Sequence, residues 1–237
     1  KKYAKISFKD SILTAKKIYS TYWWVLLIIV SIIFVDQWSK IYIKLHFPLS
    51  GYGIPPIIDI GFFKLLFVEN KGMAMGAKLN DFIPFISEGT AKLFLTLFRL
   101  VAIVGLGYWL WDTIKKQSPL LLCCALTLIF AGALGNIIDS VFYGVLFSSS
   151  YNSIATFLPE TGGYAPLFYG HVVDMLQFPL VEWTWPSWLP IIGGNTFLFF
   201  QYIFNIADTA ISAGVGIMIV FNKKVFVQEV PKNNESS

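Results

Sequence analysis

The stretch Phe204-Asn205-Ile206-Ala207-Asp208 opens an apolar run that extends over residues 209–221. Burying a carboxylate in a bilayer at the start of such a run costs several kcal/mol of free energy unless the carboxylate faces protein or water. Asn205 lies three positions before Asp208, so on a helix the two side chains point the same way. The stretch therefore predicts a polar functional site at the start of a membrane helix.

The same spacing occurs once more, at Asn136 and Asp139, where another apolar run ends. Small residues are concentrated in that run between positions 131 and 135, and small residues let membrane helices approach closely. Two Asn-x-x-Asp pairs at the ends of two apolar runs predict polar groups gathered at one depth of the membrane.

Composition indicates a membrane protein before any motif is considered. Hydrophobic residues make up 56% of the 237 residues and charged residues 14%, whereas soluble domains are about 25% charged. The net charge of +4 comes from lysines beside the apolar runs, so no nucleic-acid partner is expected. Cys123 and Cys124 are adjacent within an apolar run, a spacing that favours packing over a metal site or a disulfide.

The pattern predicts an all-α polytopic membrane protein with a single domain over residues 1–237. Its apolar runs predict four transmembrane helices, at about residues 22–42, 93–111, 120–138 and 196–221. Proline, glycine and short β-rich runs at about residues 46–80 predict a small sheet outside the membrane. A long aromatic loop follows at about residues 140–195. The first run is too long for a cleavable signal peptide and lacks its small-residue exit.

The basic residues predict the orientation of these helices. Six lysines precede the first span, and further lysines follow the second and fourth spans, whereas residues 140–195 contain neither Lys nor Arg. By the positive-inside rule both termini are cytoplasmic and the two long loops face outward. Asp36, Asp139 and Asp208 are then expected at the outer ends of their helices. Lys40 lies four positions after Asp36, so the two can pair and neutralise each other.

The outer loop contains another carboxylate, Asp174, in an apolar setting at residues 170–175. If this turn folds back on the helix ends, Asp174 meets Asp208. Two carboxylates a few ångströms apart cannot both ionise cheaply, so one pKa rises and the pair shares a proton. Such a pair suits peptide hydrolysis, because one Asp takes a proton from water while the other hydrogen-bonds the scissile carbonyl. His171 is not expected to act as a base, since an aspartic pair needs no imidazole.

At these residues the chain resembles the signal peptidase II family, whose members are also called lipoprotein signal peptidases. They are bacterial intramembrane aspartic proteases. Five blocks match the family pattern in the same order and topology: Val35-Asp36-Gln37-x-x-Lys40; Asn70-x-Gly72-x-Ala74-x-Gly76; Gly132-Ala133-Leu134-Gly135-Asn136-x-x-Asp139; Val172-Val173-Asp174; and Phe204-Asn205-x-Ala207-Asp208. They touch both outer loops and every predicted span except the second.

The resemblance implies that Asp174 and Asp208 are the catalytic pair. It also implies a set of supporting residues around the substrate and the pair: Asp36, Lys40, Asn70, Gly72, Asn136, Asp139 and Asn205. No metal or organic cofactor is implied. The outer sheet then resembles the β-cradle of the family, which lies on the membrane surface and holds the main chain of the substrate.

The same resemblance implies the substrate and the compartment. The substrate is a prolipoprotein whose lipobox cysteine already bears a diacylglyceryl group, cut just before that cysteine. We expect a multi-pass monomer in the bacterial inner membrane, surrounded by lipid, with its site near the outer face.

Two departures from the family pattern stand out. The family usually has Arg directly after the Asp that Asp139 matches, and this chain has Ser140. The spacing between the matched aspartates is also long, which indicates two insertions in the outer loop, at Val145 to Tyr169 and Phe178 to Asn195. Hydrophobic, charge-poor inserts are typical of an interfacial flap or lid, and inert decoration is the alternative.

Two functions of other classes compete with the protease. In a proton-coupled transporter, Asp36, Asp139 and Asp208 would form a relay, although carriers usually bind near mid-bilayer rather than at one face. In a non-catalytic scaffold, the outer sheet would bind a partner. Asn136 and Asn205 would then be ordinary interhelical hydrogen-bonding residues.

Overall fold

The fold is that of a computed structural model, which describes residues 8–51, 54–71, 86–199 and 202–226. The predicted site residue Gly72 lies outside these ranges. The four main helices are α1, Phe8–His46; α2, Glu88–Lys115; α3, Leu120–Ile138; and α4, Ile206–Val220. A π-helical turn, Asp139–Tyr143, and a helical turn, Gly144–Leu146, extend α3 into the predicted outer loop.

Among the described residues, three helical segments are long and apolar enough to cross a membrane: Ile18–His46, Glu88–Lys115 and Leu120–Leu146. They match the first three predicted spans, with ends that extend beyond the predicted limits. Ile206–Val220 is also apolar but shorter. It is followed by a single helical turn, Asn222–Val225.

The prediction that the fourth helix begins near residue 196 is wrong. Thr196–Phe199 forms strand β5, and Ile203–Phe204 forms strand β6. The helix begins only after Asn205, whose extended backbone and side chain cap it. An apolar run of this length fits a strand as well as a helix, and the polar cap fixes the boundary.

A four-stranded antiparallel sheet has the order β1-β2-β3-β6. Strands β1, Ile58–Asp59, and β2, Lys64–Asn70, come from the predicted outer β-element. Strand β3, Val172–Gln177, comes from the long loop, where β2 pairs with it in the register Val68↔Asp174 and Asn70↔Val172. The sheet therefore brings Asn70 and Asp174 side by side and leads through β6 directly into α4.

The segment predicted to be the second insertion contains β4, Val181–Thr184, which pairs with β5 just beyond the predicted end of that segment to form a separate antiparallel hairpin. Trp183 and Trp188 on this hairpin are exposed, as is Ile191 in its tip. The first insertion instead packs against the sheet and α1, around the buried ring of Phe147.

Helix α3 packs against α1, α2 and α4, and glycines allow the closest of these contacts. A Cβ atom placed on Gly132 would lie 2.2 Å from the backbone oxygen of Ala207 in α4. A Cβ atom on Gly214 would lie 2.6 Å from the backbone oxygen of Ala125 in α3. The small residues predicted to permit close approach therefore join α3 to the helix that begins with Asn205 and Asp208.

We predict that Gly132→Ala destabilises the protein, because the new methyl group collides with rigid backbone of α4. Overpacking of this kind costs about 1–3 kcal/mol, which a lowered thermal midpoint of the detergent-solubilised protein would report. Gly105→Ala on α2 is the matched control, since a Cβ atom there meets nothing within 4 Å. Equal midpoints for the two variants would contradict the packing described.

Candidate active site

Asp174 and Asp208 line one cavity of about 460 Å³ between the sheet and helices α2, α3 and α4. The polar side chains around the two carboxylates include Asn70, Asn136 and Arg99. Much of the remaining wall is apolar, with contributions from Ala102, Ile103, Leu106, Ala133, Ile203, Phe204 and Ile211. Residues more than 30 positions apart in the chain thus meet in one concave, largely apolar site.

Asp208 is held by the start of α4. The Asn205 side chain accepts a hydrogen bond of 2.9 Å from the Asp208 backbone N–H, and the Asp208 carboxylate accepts one of 3.3 Å from the Asn205 N–H. This reciprocal capping box satisfies two backbone donors that the helix cannot satisfy itself. Asn136 of α3 donates a further hydrogen bond of 2.8 Å to Asp208 Oδ1. The motif formed by Asn205 and Asp208 therefore begins α4, and it orients the carboxylate of Asp208.

Asp174 is held by two side-chain amides. Asn205 Nδ2 donates to Asp174 Oδ1 at 2.7 Å, and Asn70 Nδ2 donates to Asp174 Oδ2 at 3.2 Å. Asp174 is buried in strand β3. Burial and then the nearby charge of Asp208 raise the pKa of Asp174 to about 7, against the opposing effect of these amides and of Lys40. Near neutral pH the carboxyl group is therefore poised between its protonated and ionised forms.

Two amides connect the two carboxylates. Asn205 Nδ2 donates to Asn136 Oδ1 at 3.1 Å, and each asparagine also donates to one of the two aspartates. Both predicted Asn-x-x-Asp pairs thus contribute to one hydrogen-bonded group, as the sequence predicts.

A buried group of charges lies behind the cavity. Lys40 Nζ is 2.8 Å from Asp36 Oδ2 and 2.8 Å from Asp139 Oδ2, with all three side chains fully buried. The predicted pairing of Asp36 with Lys40 is confirmed, but the sequence did not indicate that Asp139 shares the same cation. Lys40 also donates to Asn136 Oδ1 at 3.0 Å. This contact links the buried charges to the amides that hold the two carboxylates.

The buried carboxylates also fasten the sheet and α4 to the other helices. Asp36 Oδ1 accepts a hydrogen bond from the Ala207 backbone N–H at 2.9 Å, and Asp139 Oδ2 accepts one from the Val173 N–H at 3.3 Å. Ala207 precedes Asp208, and Val173 precedes Asp174. Each backbone neighbour of the candidate pair is therefore fixed by a carboxylate of the buried group.

The positive charge that the family usually places at the position of Ser140 is absent there, and Arg99 brings a positive charge to the cavity from another helix. Ser140 is buried, and its hydroxyl donates to the backbone oxygen of Asn136 at 3.1 Å. Arg99 of α2 lines the cavity, although the resemblance contained no block in the second span. An arginine inside an apolar run is itself a signal of a functional site, and this signal could have identified it.

His171 lies beside a neighbouring ion pair. Its Nδ1 is 3.1 Å from Glu69 Oε2, and the expectation that this imidazole is not the base stays a prediction. Within the described ranges, no group of three or more His, Cys, Asp and Glu side chains is arranged to hold a metal ion.

Comparison with known proteins identifies relatives of this chain. The model of the family described as signal peptidase (SPase) II matches residues 28–223. A lipoprotein signal peptidase of Porphyromonas gingivalis is 44% identical over 196 residues, covering 81% of this chain and 80% of that protein. A lipoprotein signal peptidase of Amoebophilus asiaticus is 31% identical over 224 residues, covering 94% and 85%.

The fold also resembles a solved structure described as a bacterial membrane enzyme. The two chains superpose with a TM-score of 0.52 at 22% identity, over 87% of this chain and 94% of the other. The match of the family model over most of the chain, together with the 44% identical relative, shows that the chain belongs to the signal peptidase II family.

Proposed function

We propose that this protein is an aspartic endopeptidase that removes the signal peptide from diacylglyceryl-modified prolipoproteins, cutting before the lipidated cysteine. Membership of the family supports the removal of lipoprotein signal peptides in a bacterial inner membrane. The observation that carries the aspartic mechanism is the meeting of Asp174 and Asp208 in one cavity, joined through two amides.

In the proposed mechanism the two aspartates share one proton. Burial and the charge of Asp208 favour the proton on Asp174, so Asp174 donates a hydrogen bond to the scissile carbonyl. Ionised Asp208 takes a proton from a water molecule, whose oxygen attacks the carbonyl carbon while Asp174 passes its proton to the carbonyl oxygen, which gives a tetrahedral diol. On collapse of the diol the C–N bond breaks, Asp208 gives its proton to the leaving amine, and Asp174 takes a proton back from a diol hydroxyl, so that the pair again holds one proton.

The asparagines keep the two carboxylates in place during these proton transfers. Asn70 and Asn205 each donate to one oxygen of Asp174, and Asn136 donates to Asp208. Because amides do not titrate in this range, they hold the geometry in every protonation state. Asn70 is the last residue of strand β2, and we propose that this end of the cradle-like sheet receives the main chain of the substrate.

We propose that α4 completes a fourth span together with the turn that follows it. At about 1.5 Å per residue, Ile206–Val220 and Asn222–Val225 together reach roughly 30 Å, the thickness of a bilayer core. Lys223 and Lys224 then mark the cytoplasmic boundary. Both termini are cytoplasmic in this arrangement, and the cavity lies near the outer face.

The lipid on the substrate would bring the scissile bond to this depth. Each buried CH₂ group contributes about 0.8 kcal/mol to membrane association, so the diacylglyceryl group stays in the bilayer beside the helices. We propose a monomer as the active unit, because the carboxylates and the amides that hold them all come from one chain.

We predict that Asp174→Asn and Asp208→Asn each reduce cleavage of a diacylglyceryl-modified prolipoprotein at least about 100-fold, since each removes a group that transfers a proton. Both variants should keep the circular dichroism of the wild type. Asp59→Asn is the matched control, because Asp59 is an aspartate of the same sheet that is 43% exposed. Near-wild-type turnover by either site variant would show that the pair is not catalytic.

We predict that kcat/KM falls as the pH rises through about 7, because Asp174, whose pKa is raised to about 7, then loses the shared proton. Asn70→Ala should move this alkaline limb to higher pH, because the Asn70 amide stabilises the ionised form of Asp174. A pH profile of kcat/KM for both proteins checks this. A rate that is flat across neutral pH, or a limb that moves to lower pH in the variant, would contradict it.

A further inference from the structure

We propose that the first inserted segment, residues 145–169, is a fixed clamp rather than a lid. It closes a cage over the Lys44–Glu69 ion pair, and the closed cage holds strand β2 where Asn70 reaches Asp174. Lys44 and Glu69 are therefore positioning residues. The inference rests on the proposed function, because it concerns the same pair of aspartates.

The ion pair is buried and includes a hydroxyl of the inserted segment. Lys44, in the last turn of α1, contacts Glu69 of β2. Lys44 Nζ donates to Ser150 Oγ at 2.8 Å, and Ser150 Oγ donates to Glu69 Oε1 at 2.8 Å. The Lys44 side chain is fully buried and that of Glu69 is 10% exposed. A buried charge that loses its partner is strongly unfavourable, so this contact fixes α1, β2 and the inserted segment together.

Aromatic rings enclose the ammonium group. Lys44 Nζ lies 5.7 Å from the ring centroid of Phe67, 5.4 Å from that of Phe147 and 5.0 Å from that of Tyr164. Ring faces attract a cation at these distances, most strongly where water is excluded. Phe67 belongs to β2, whereas Phe147 and Tyr164 belong to the inserted segment. That segment therefore supplies most of the cage.

The cage contacts both strands that carry the site. Glu69 directly precedes Asn70 and pairs in register with Val173, the residue before Asp174. At the start of β3, the His171 backbone N–H donates to Tyr164 Oη at 2.7 Å, and His171 Nδ1 lies 3.1 Å from Glu69 Oε2. A displacement of the cage would thus change the position of Asn70 relative to Asp174.

Glu69 stays ionised over the working range of the enzyme. Burial alone would raise the pKa of Glu69, but the contacts with His171, Lys44 and Ser150 outweigh burial and lower it to about 2. The carboxylate in the cage is therefore a permanent charge and not a switch.

The inserted segment is packed closely against its neighbours, unlike a lid that opens. Phe147, Ser150 and Ala155 are buried, and a Cβ atom on Gly163 would lie 2.1 Å from the backbone oxygen of Gly144. Opening the segment would expose the Lys44–Glu69 pair and remove the hydroxyl between them. These contacts favour a clamp over both the lid and the inert decoration that the sequence allowed.

The test compares Lys44→Met, Ser150→Ala and the double variant Lys44→Met/Glu69→Gln of the full chain. We expect Lys44→Met to lower kcat about tenfold or more, because small misplacements of catalytic groups have effects of this size. It should also speed amide hydrogen exchange in Lys64–Asn70. The double variant, which leaves no unpaired charge, should recover to within about threefold of wild type if the loss comes from the broken pair.

Ser150→Ala gives a readout that general destabilisation would not move. Asp174 faces charges from several elements, namely Lys40, Arg99 and Asp208, and none of them changes in this variant. Loosening β2 weakens the hydrogen bond from Asn70 to Asp174, so the alkaline limb of kcat/KM should move to higher pH. Lys116→Met is the matched control, because Lys116 forms an exposed ion pair with Asp112 at the end of α2, away from the sheet; it should leave kcat and the exchange in Lys64–Asn70 unchanged.

Wild-type kcat, pH limb and exchange in Lys44→Met and Ser150→Ala would overturn the clamp. A fall in kcat without faster exchange in β2 would overturn it too, because the effect would not pass through Asn70. If Lys44→Met does not fold, the alkaline limb of Ser150→Ala alone tests the proposal. A limb at the wild-type pH would then overturn it. A failure of the proposed function can be distinguished from a failure of the clamp. If the proposed function is wrong, Asp174→Asn retains cleavage, whereas the hydrogen-exchange measurement tests the clamp without any activity.

Discussion

One buried amide, that of Asn205, links the fold to the site. Its oxygen accepts from the Asp208 N–H and so begins α4, while its nitrogen donates to Asp174 at 2.7 Å. The same side chain therefore decides where the helix starts and which way both carboxylates face. Without this cap, the apolar strands before it and the apolar helix after it have no sharp boundary, and the sheet would not hold Asp174 against the helix end.

A buried group of charges holds the residues around the Asn205 amide in place, because separating buried charges costs free energy. Lys40 is the cation shared by Asp36 and Asp139, all three fully buried, and breaking such a group leaves an uncompensated charge at high cost. Both carboxylates of this group accept backbone hydrogen bonds from the residues before Asp208 and Asp174. This buried charge network thus fixes the backbone beside both aspartates of the proposed pair.

Much of the site could be predicted from local spacing, because Asn205 and Asp208 share a helical turn and Asp36 and Lys40 are one turn apart. The fourth helix could not be bounded, since the apolar residues of β5 fit either strand or helix. The pairing of β2 with β3 joins segments about a hundred residues apart, a register that no local pattern specifies. The sharing of Lys40 by Asp139 and the Lys44–Glu69 cage likewise depend on long-range packing.

The central claim is that Asp174 and Asp208 share one proton near neutral pH. Infrared difference spectroscopy of the carboxyl C=O stretch, titrated through pH 7 in wild type and in Asp174→Asn, measures this directly. The account predicts one protonated carboxyl that titrates with a pKa of about 7 and is missing from the variant. If Asp174→Asn leaves the titrating carboxyl signal unchanged, or if none titrates near pH 7, the account is contradicted.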